Sequence, residues 1–122
     1  MKFTLDQSTR VNAITARSAG KVHVGERIFA SSMIVTADRL IPDWPVVDPG
    51  RLSIAMLETA LALNPEILIL GTGERQVFPQ PELFAAVTGR GIGFEVMDNG
   101  AACRTYNVLV AEGRNVALAL IL

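Results

Sequence analysis

The sequence predicts one α/β domain, a mixed β-sheet with helices on its faces and an N-terminal β-hairpin region. Three observations predict it. The second half, Asn64 to Leu122, reads strand-helix-strand-helix-strand, and that alternation calls for parallel strands joined by right-handed crossovers. The stretch from Val11 to Val35 reads instead as short strands broken by glycine turns, the mark of hairpins. Finally, half of the 122 residues are hydrophobic. No linker, repeat or low-complexity stretch divides them, which suits one self-sufficient core.

Residues 1–10 read as a flexible lead-in to the domain. Lys21-Val22-His23-Val24 alternates polar and apolar, and Gly25-Glu26 turns it into Arg27-Ile28-Phe29. Ser32-Met33-Ile34-Val35-Thr36 is a further strand, and the first half is expected to add its hairpins and one helix to the same sheet. Asp48 and Pro49 are suited to cap and start a helix over Arg51 to Leu63, with Ile54, Leu57 and Leu61 on one stripe. Asn64-Pro65 stops it, because the residue before proline avoids the helical region. Glu66 to Leu70 is apolar without alternation, the pattern of a strand covered on both faces. Pro81 starts a short helix through Thr88, which Gly89-Arg90-Gly91 ends. Ile92, Phe94 and Val96 share one face of the next strand. Ala102, Tyr106, Leu109 and Val110 keep helical spacing up to Gly113, and Val116 to Leu122 is a buried closing strand.

Composition excludes several functions. Eleven basic residues against twelve acidic give a formal charge of −1, with none of the concentrated positive charge that binds nucleic acid. One cysteine cannot build a disulfide framework, so a reducing compartment is expected. The opening Met1 to Asp6 turns acidic too soon for a signal peptide. The apolar runs Ile67–Leu70 and Val116–Leu122 fall far short of the roughly 20 residues of a membrane span. The expectation is a cytoplasmic protein whose association with a membrane, if any, is peripheral and runs through a partner.

Two loops follow strands of the second half, Gly71-Thr72-Gly73 and Asp98-Asn99-Gly100. In a parallel sheet both lie at the carboxyl ends of the strands, where open α/β folds form their crevices. Gly71-Thr72-Gly73 begins a dinucleotide fingerprint, but Gln76 stands where the third glycine belongs. Pro79 and Pro81 also keep a helix from opening directly after the loop, so no dipole aims at a pyrophosphate. A tight turn is the plain reading, and close approach of a ligand or partner backbone is the functional one. Asp98-Asn99-Gly100-Ala101 fits a helix cap. With Arg104 and Thr105 in the following helix and Arg75 on the neighbouring loop, it would hold a carboxylate or small phosphate. Alternatively, Arg104 pairs with Glu74 or Asp98 on the surface. The candidate crevice, for a ligand or a partner, comprises Gly71, Thr72, Gly73, Arg75, Asp98, Asn99, Arg104, Thr105 and Asn107.

No catalytic set assembles from the sequence. Cys103 lies near a helix start beside Arg104, a setting that lowers a thiol pKa, but the only histidine, His23, sits on the hairpin and faces solvent. A buried, inert thiol is the better reading. Zinc sites need more histidine and cysteine than the chain holds, and a Ser-His-Asp triad would have to be built on the lone His23, which the hairpin turns to solvent. Glu66, Glu74, Glu82, Glu95, Asp98 and Glu112 show no spacing that fixes an acid/base pair. No metal and no cofactor is expected. Trp44, the only tryptophan, lies in a loop between Asp43 and Pro45. It is either pinned against the domain or offered as a partner contact.

The order of Ile34-Val35, Trp44, Gly71-Thr72-Gly73, Cys103-Arg104-Thr105-Tyr106-Asn107 and Glu112-Gly113-Arg114 resembles one small α/β family. That family contains the mitochondrial complex I (NADH:ubiquinone oxidoreductase) assembly factor three, an adipogenesis-associated human protein and many bacterial members of unknown function. The resemblance runs from about Val11 onward, and its most specific pieces are Gly71-Thr72-Gly73 and Arg104-Thr105-Tyr106-Asn107. Asn99 stands where many relatives carry threonine, an exchange that keeps a helix cap. The resemblance implies a three-layer α/β sandwich with a mixed sheet. It supplies no catalytic residues, and it implies an assembly role carried out through protein contacts. The chain lacks an Arg-rich presequence, so it reads as a bacterial-type protein.

These observations favour a non-enzymatic protein-binding or assembly factor that uses the crevice edge and the Trp44 loop, with a protein partner of unknown identity. The alternative is a module, or weak enzyme, for a small anionic ligand. A homodimer formed through exposed strand edges is a third reading.

Overall fold

The computed structural model describes residues 11–122; the expected flexibility of residues 1–10 lies outside the described residues. In chain order the strands are β1 (Ile14–Ser18), β2 (Lys21–Val24), β3 (Arg27–Phe29), β4 (Met33–Val35), β5 (Leu40–Ile41), β6 (Ile67–Gly71), β7 (Gly93–Met97) and β8 (Val116–Leu120). The helices are α1 (Ile54–Leu61), α2 (Pro81–Thr88) and α3 (Asn99–Ala111).

The main sheet has the order β5-β4-β8-β6-β7. β6 runs parallel to β7 on one side and to β8 on the other, as the strand-helix-strand-helix-strand pattern demands. β4 lies antiparallel to both β8 and β5, which makes the sheet mixed. The hairpins depart from expectation. β1, β2 and β3 form a separate three-stranded antiparallel sheet, and only β4 and β5 join the main one. The reason is one-sidedness: Val22 and Val24 are buried while Lys21 is exposed and His23 half-buried. Strands with one polar face cannot sit inside a sheet that is covered on both faces.

The main sheet is the middle of three layers. On one face Leu57, Ala60 and Leu61 of α1 and Leu83 and Val87 of α2 pack with Leu68, Leu70, Ala117 and Ala119. On the other, Ala102, Tyr106 and Val110 of α3 and Val22 and Val24 of the small sheet pack with Ile69, Leu118 and Leu120. β6 and β8 thus send alternate residues into both cores, and all five residues of β8 are buried. Each buried Val, Leu or Ile side chain among them contributes about 1.5–3 kcal/mol.

The start of α1 also differs from the sequence reading. Asp48 accepts a bond from the Gly50 N–H at 2.9 Å, but it caps only a short 3-10 turn, Pro49–Arg51. Leu52 then returns to an extended backbone, and Ser53 caps α1 by accepting from the Met56 N–H at 3.3 Å. Ser53 satisfies orphan N–H groups at a true helix start, which the Asp48-Pro49 turn cannot reach. α2 begins at Pro81 and ends before Gly89, as its proline and glycine signals require. At the outer edge of β7, Gln76 Nε2 donates to the Val96 carbonyl at 2.9 Å.

Candidate functional site

The loops after β6 and β7 meet at the carboxyl ends of these adjacent parallel strands, and Asn99 joins them. Its amide Oδ1 accepts from the Gly73 N–H at 3.0 Å, its Nδ2 donates to the Ile121 carbonyl at 2.8 Å, and its own N–H donates to the Gly73 carbonyl at 2.8 Å. Only 2% of Asn99 is exposed. Thr72 is likewise buried, and its hydroxyl donates to the Arg75 carbonyl at 2.7 Å while accepting from the Val77 N–H at 3.0 Å. Gly71 is forced to be glycine: a β-carbon there would lie 2.5 Å from Asn99 Oδ1 and 2.6 Å from Leu120 Cδ1. Gly73 adopts φ 108, a left-handed backbone that glycine alone enters without strain. Asp98 caps α3 by accepting from the Ala101 N–H at 2.9 Å. Hydrogen bonds internal to the protein thus join Gly73 to Asn99 and occupy the side chains of Thr72 and Asp98.

The remaining candidates separate. Thr105 donates to Met97 Sδ at 3.4 Å, and the exposed Arg75 stands apart on its loop. Arg104 and Asn107 instead face β1. Asn107 Oδ1 accepts from the Ile14 N–H at 2.9 Å and its Nδ2 donates to the Ile14 carbonyl at 2.8 Å, so its carboxamide makes both bonds a neighbouring strand would make. Beside it, Tyr106 is fully buried and its hydroxyl donates to the Asn12 carbonyl at 2.7 Å. These contacts clamp the small sheet onto α3.

Between β1 and α3 lies a cleft of about 200 Å³ lined by Ile14, Thr15, Ala16 and Arg17 on one side and by Gly100, Cys103, Arg104 and Asn107 on the other. Sequence reasoning missed Arg17. Its guanidinium pairs with Glu74 at 3.1 Å, and its Nη2 and Arg104 Nη1 each come within 3.4 Å of where a Gly100 β-carbon would be. No spacing in the sequence signals this, because it depends on the small sheet packing against α3. Cys103 is 5% exposed. Burial pushes its thiol up to about 11, against the opposing pull of the Arg17 and Arg104 charges.

Two other carboxylates serve structure. Glu66 accepts from Arg114 and from the Asn115 N–H, contacts that hold its carboxyl below the usual range and join the starts of β6 and β8. Glu58 pairs with Arg90. Trp44 is 4% exposed, and its indole N–H donates to the Met56 carbonyl at 2.9 Å, so its ring is part of the core beneath α1. Its loop presents Val47, 82% exposed, to solvent. Among the described residues no cluster of His, Cys, Asp and Glu is arranged to hold a metal ion. Among them, too, no helix is long and apolar enough to cross a membrane.

Similarity to known proteins covers most of this architecture. The chain is 43% identical over 101 residues to the 13 kDa major membrane protein of Francisella tularensis, covering 82% of this chain and 80% of that one. It is 31% identical over 109 residues to NADH dehydrogenase (ubiquinone) 1 alpha subcomplex assembly factor 3 of Xenopus tropicalis. That match covers 88% of this chain but 58% of the frog protein, so the chain spans little more than half of that relative. Among solved structures, a Xanthomonas campestris protein determined by NMR superposes with a TM-score of 0.84 at 45% identity, covering 99% of this chain and 92% of that one. Residues 14–121 match the model of a family described as Protein of unknown function (DUF498/DUF598), and the chain belongs to that family.

Proposed function

We propose that this chain is a non-enzymatic, protein-binding assembly factor. The observation that carries this reading is the match to the frog assembly factor across 88% of the chain, which makes the three-layer fold the unit the two proteins share. A role in assembling a respiratory complex is carried over from that relative's name. The internal bonding of Thr72 and Asn99 supports a scaffold function for these residues, leaving recognition to the exposed surface around them. In this reading Gly71, Thr72, Gly73, Asp98 and Asn99 fix the crevice edge. Arg104 and the Trp44 loop, through Val47, present groups to the partner. The chain acts as one domain in the cytoplasm and reaches a membrane only through that partner. The test is affinity capture from a native bacterial extract with the intact protein as bait. Stoichiometric recovery of a respiratory-complex subunit is expected, and its absence would sink the assembly role.

One observation favours a second reading, a small-anion site: Arg17 and Arg104 converge above Gly100 in the cleft between β1 and α3. Thermal-shift titration with inorganic phosphate and simple carboxylates tests it, because a ligand that binds only the native state raises the melting point. Stabilisation that Arg104→Ala abolishes is the expected result. Uniform silence would remove the reading.

A further inference from the structure

The cleft between β1 and α3 has the backbone of a strand on one wall. Register fixes which groups that strand turns toward the cleft. Ser18 and Lys21 flank the two-residue turn Ala19-Gly20, so they form the hydrogen-bonded closing pair of the hairpin. The next pair, Arg17 with Val22, is therefore non-hydrogen-bonded, and the Arg17 N–H and C=O point away from β2. Ile14 is also turned outward, and Asn107 already bonds both of its backbone groups at 2.9 and 2.8 Å, as a paired strand would. A bulge between Ile14 and Ala16 places Arg17 as the next outward residue on this edge. The side chain of Arg17 shares a face with Val22, the face that packs toward α3. Its guanidinium converges with that of Arg104 above Gly100.

We infer that this edge receives an extended acidic peptide segment of the partner, added alongside β1 beyond the position Asn107 fills, with a carboxylate seated between Arg17 and Arg104. The inference rests on the protein-binding reading and names the chemistry of its partner. Two features select a peptide. A cleft of about 200 Å³ is smaller than the roughly 300–1,000 Å³ of pockets that enclose small molecules, and fits one side chain of a larger partner. Strand addition also supplies main-chain bonds that a free anion cannot make. Glu74, half exposed and 3.1 Å from Arg17, already sets a carboxylate on one of the two guanidiniums. The peptide's carboxylate displaces it, so Glu74 acts as a built-in competitor. Among the described residues Arg104 forms no ion pair.

The test is an NMR titration of the ¹⁵N-labelled full chain with a capped hexapeptide of alternating valine and glutamate. Its glutamine counterpart and inorganic phosphate serve as comparisons. Amide shifts are expected over residues 14–18 and 100–107, with affinity falling at least tenfold in Arg104→Ala and Arg17→Ala and rising severalfold in Glu74→Gln. Glu74 is exposed, so that variant keeps the fold and gives a gain that a misfolded protein cannot mimic. Absence of shifts, or equal affinity for the glutamine peptide, would overturn the inference. Phosphate binding as tightly as the peptide, or no gain in Glu74→Gln, would also overturn it. If wild-type and the Arg17/Arg104 double variant capture the same stoichiometric partner equally well, this site is wrong while the assembly reading stands. If neither captures a partner, the assembly reading itself fails.

Discussion

Asn99 occupies the space that a side chain on Gly71 would need: its Oδ1 lies 2.5 Å from the β-carbon position, inside any tolerable contact. The two residues form one device, glycine making room for the amide that ties the ends of β6, β8 and α3 together. Gly71→Ala is expected to cost about 1–3 kcal/mol by overpacking. Asn99→Ala leaves the Gly73 N–H and the Ile121 carbonyl without their partner, at about 1–3 kcal/mol for each group that water cannot reach. Urea unfolding of both variants checks this. Because each substitution acts on the same contact, the double variant should lose less than the two single losses added together.

Asn107→Ala should loosen the small sheet without melting the main one. The variant removes both bonds to Ile14, while the five-stranded sheet keeps its own ladder. Hydrogen exchange is expected to speed up over residues 14–18 and to stay slow over 67–71 and 116–120. Equal acceleration in both regions would show that the two sheets open as one unit.

Cys103 should resist modification at neutral pH. Burial pushes its thiol from the ordinary 9.0 up to about 11, and only the thiolate reacts. Alkylation at pH 8 is expected to require unfolding. The same shift predicts alkaline instability. The folded thiol keeps its proton while the unfolded one loses it, so this contribution is fully present below about pH 9. It fades as pH rises through about 11. Burial raises the Tyr106 phenol as well and adds to the loss in the same direction. Melting temperatures between pH 8 and 11 should fall steeply, and Cys103→Ala should flatten the slope.

Trp44 offers a direct optical check. Its buried ring should emit at short wavelength in the native protein, resist iodide quenching and shift red on unfolding. Trp44→Phe removes the donor to the Met56 carbonyl and should cost about 1–3 kcal/mol. Strong quenching in the native state would mean that the ring is presented at the surface.

What the sequence made legible was the machinery of the second half. β6 and β8 are apolar without alternation because both of their faces are covered, and α2 is bracketed by a proline and a glycine that act locally. The hairpins were read correctly as strands, but their sheet was not. Alternation in Lys21 to Val24 shows one buried face without saying what buries it. The helix after Asp48 was placed too early because two caps, Asp48 and Ser53, lie five residues apart and only their geometry separates them. Among the candidate residues, Thr72 and Asn99 were found through turn and cap signals, but their bonds to Arg75, Gly73 and Ile121 needed the fold. Arg17 had no local signal, since its neighbours Glu74 and Gly100 are distant in the chain.

The bond from Gln76 to Val96 bears on how copies of this molecule behave in a crowded solution. β7 is the last strand of the main sheet, and a bare strand at that boundary would template another strand, then another. A side-chain amide standing in for the next rung occupies one carbonyl of that boundary without supplying a new edge. Growth by strand adding to strand is thereby discouraged on this side. β1, also an edge strand, keeps the outward-facing backbone of Arg17 free to accept company.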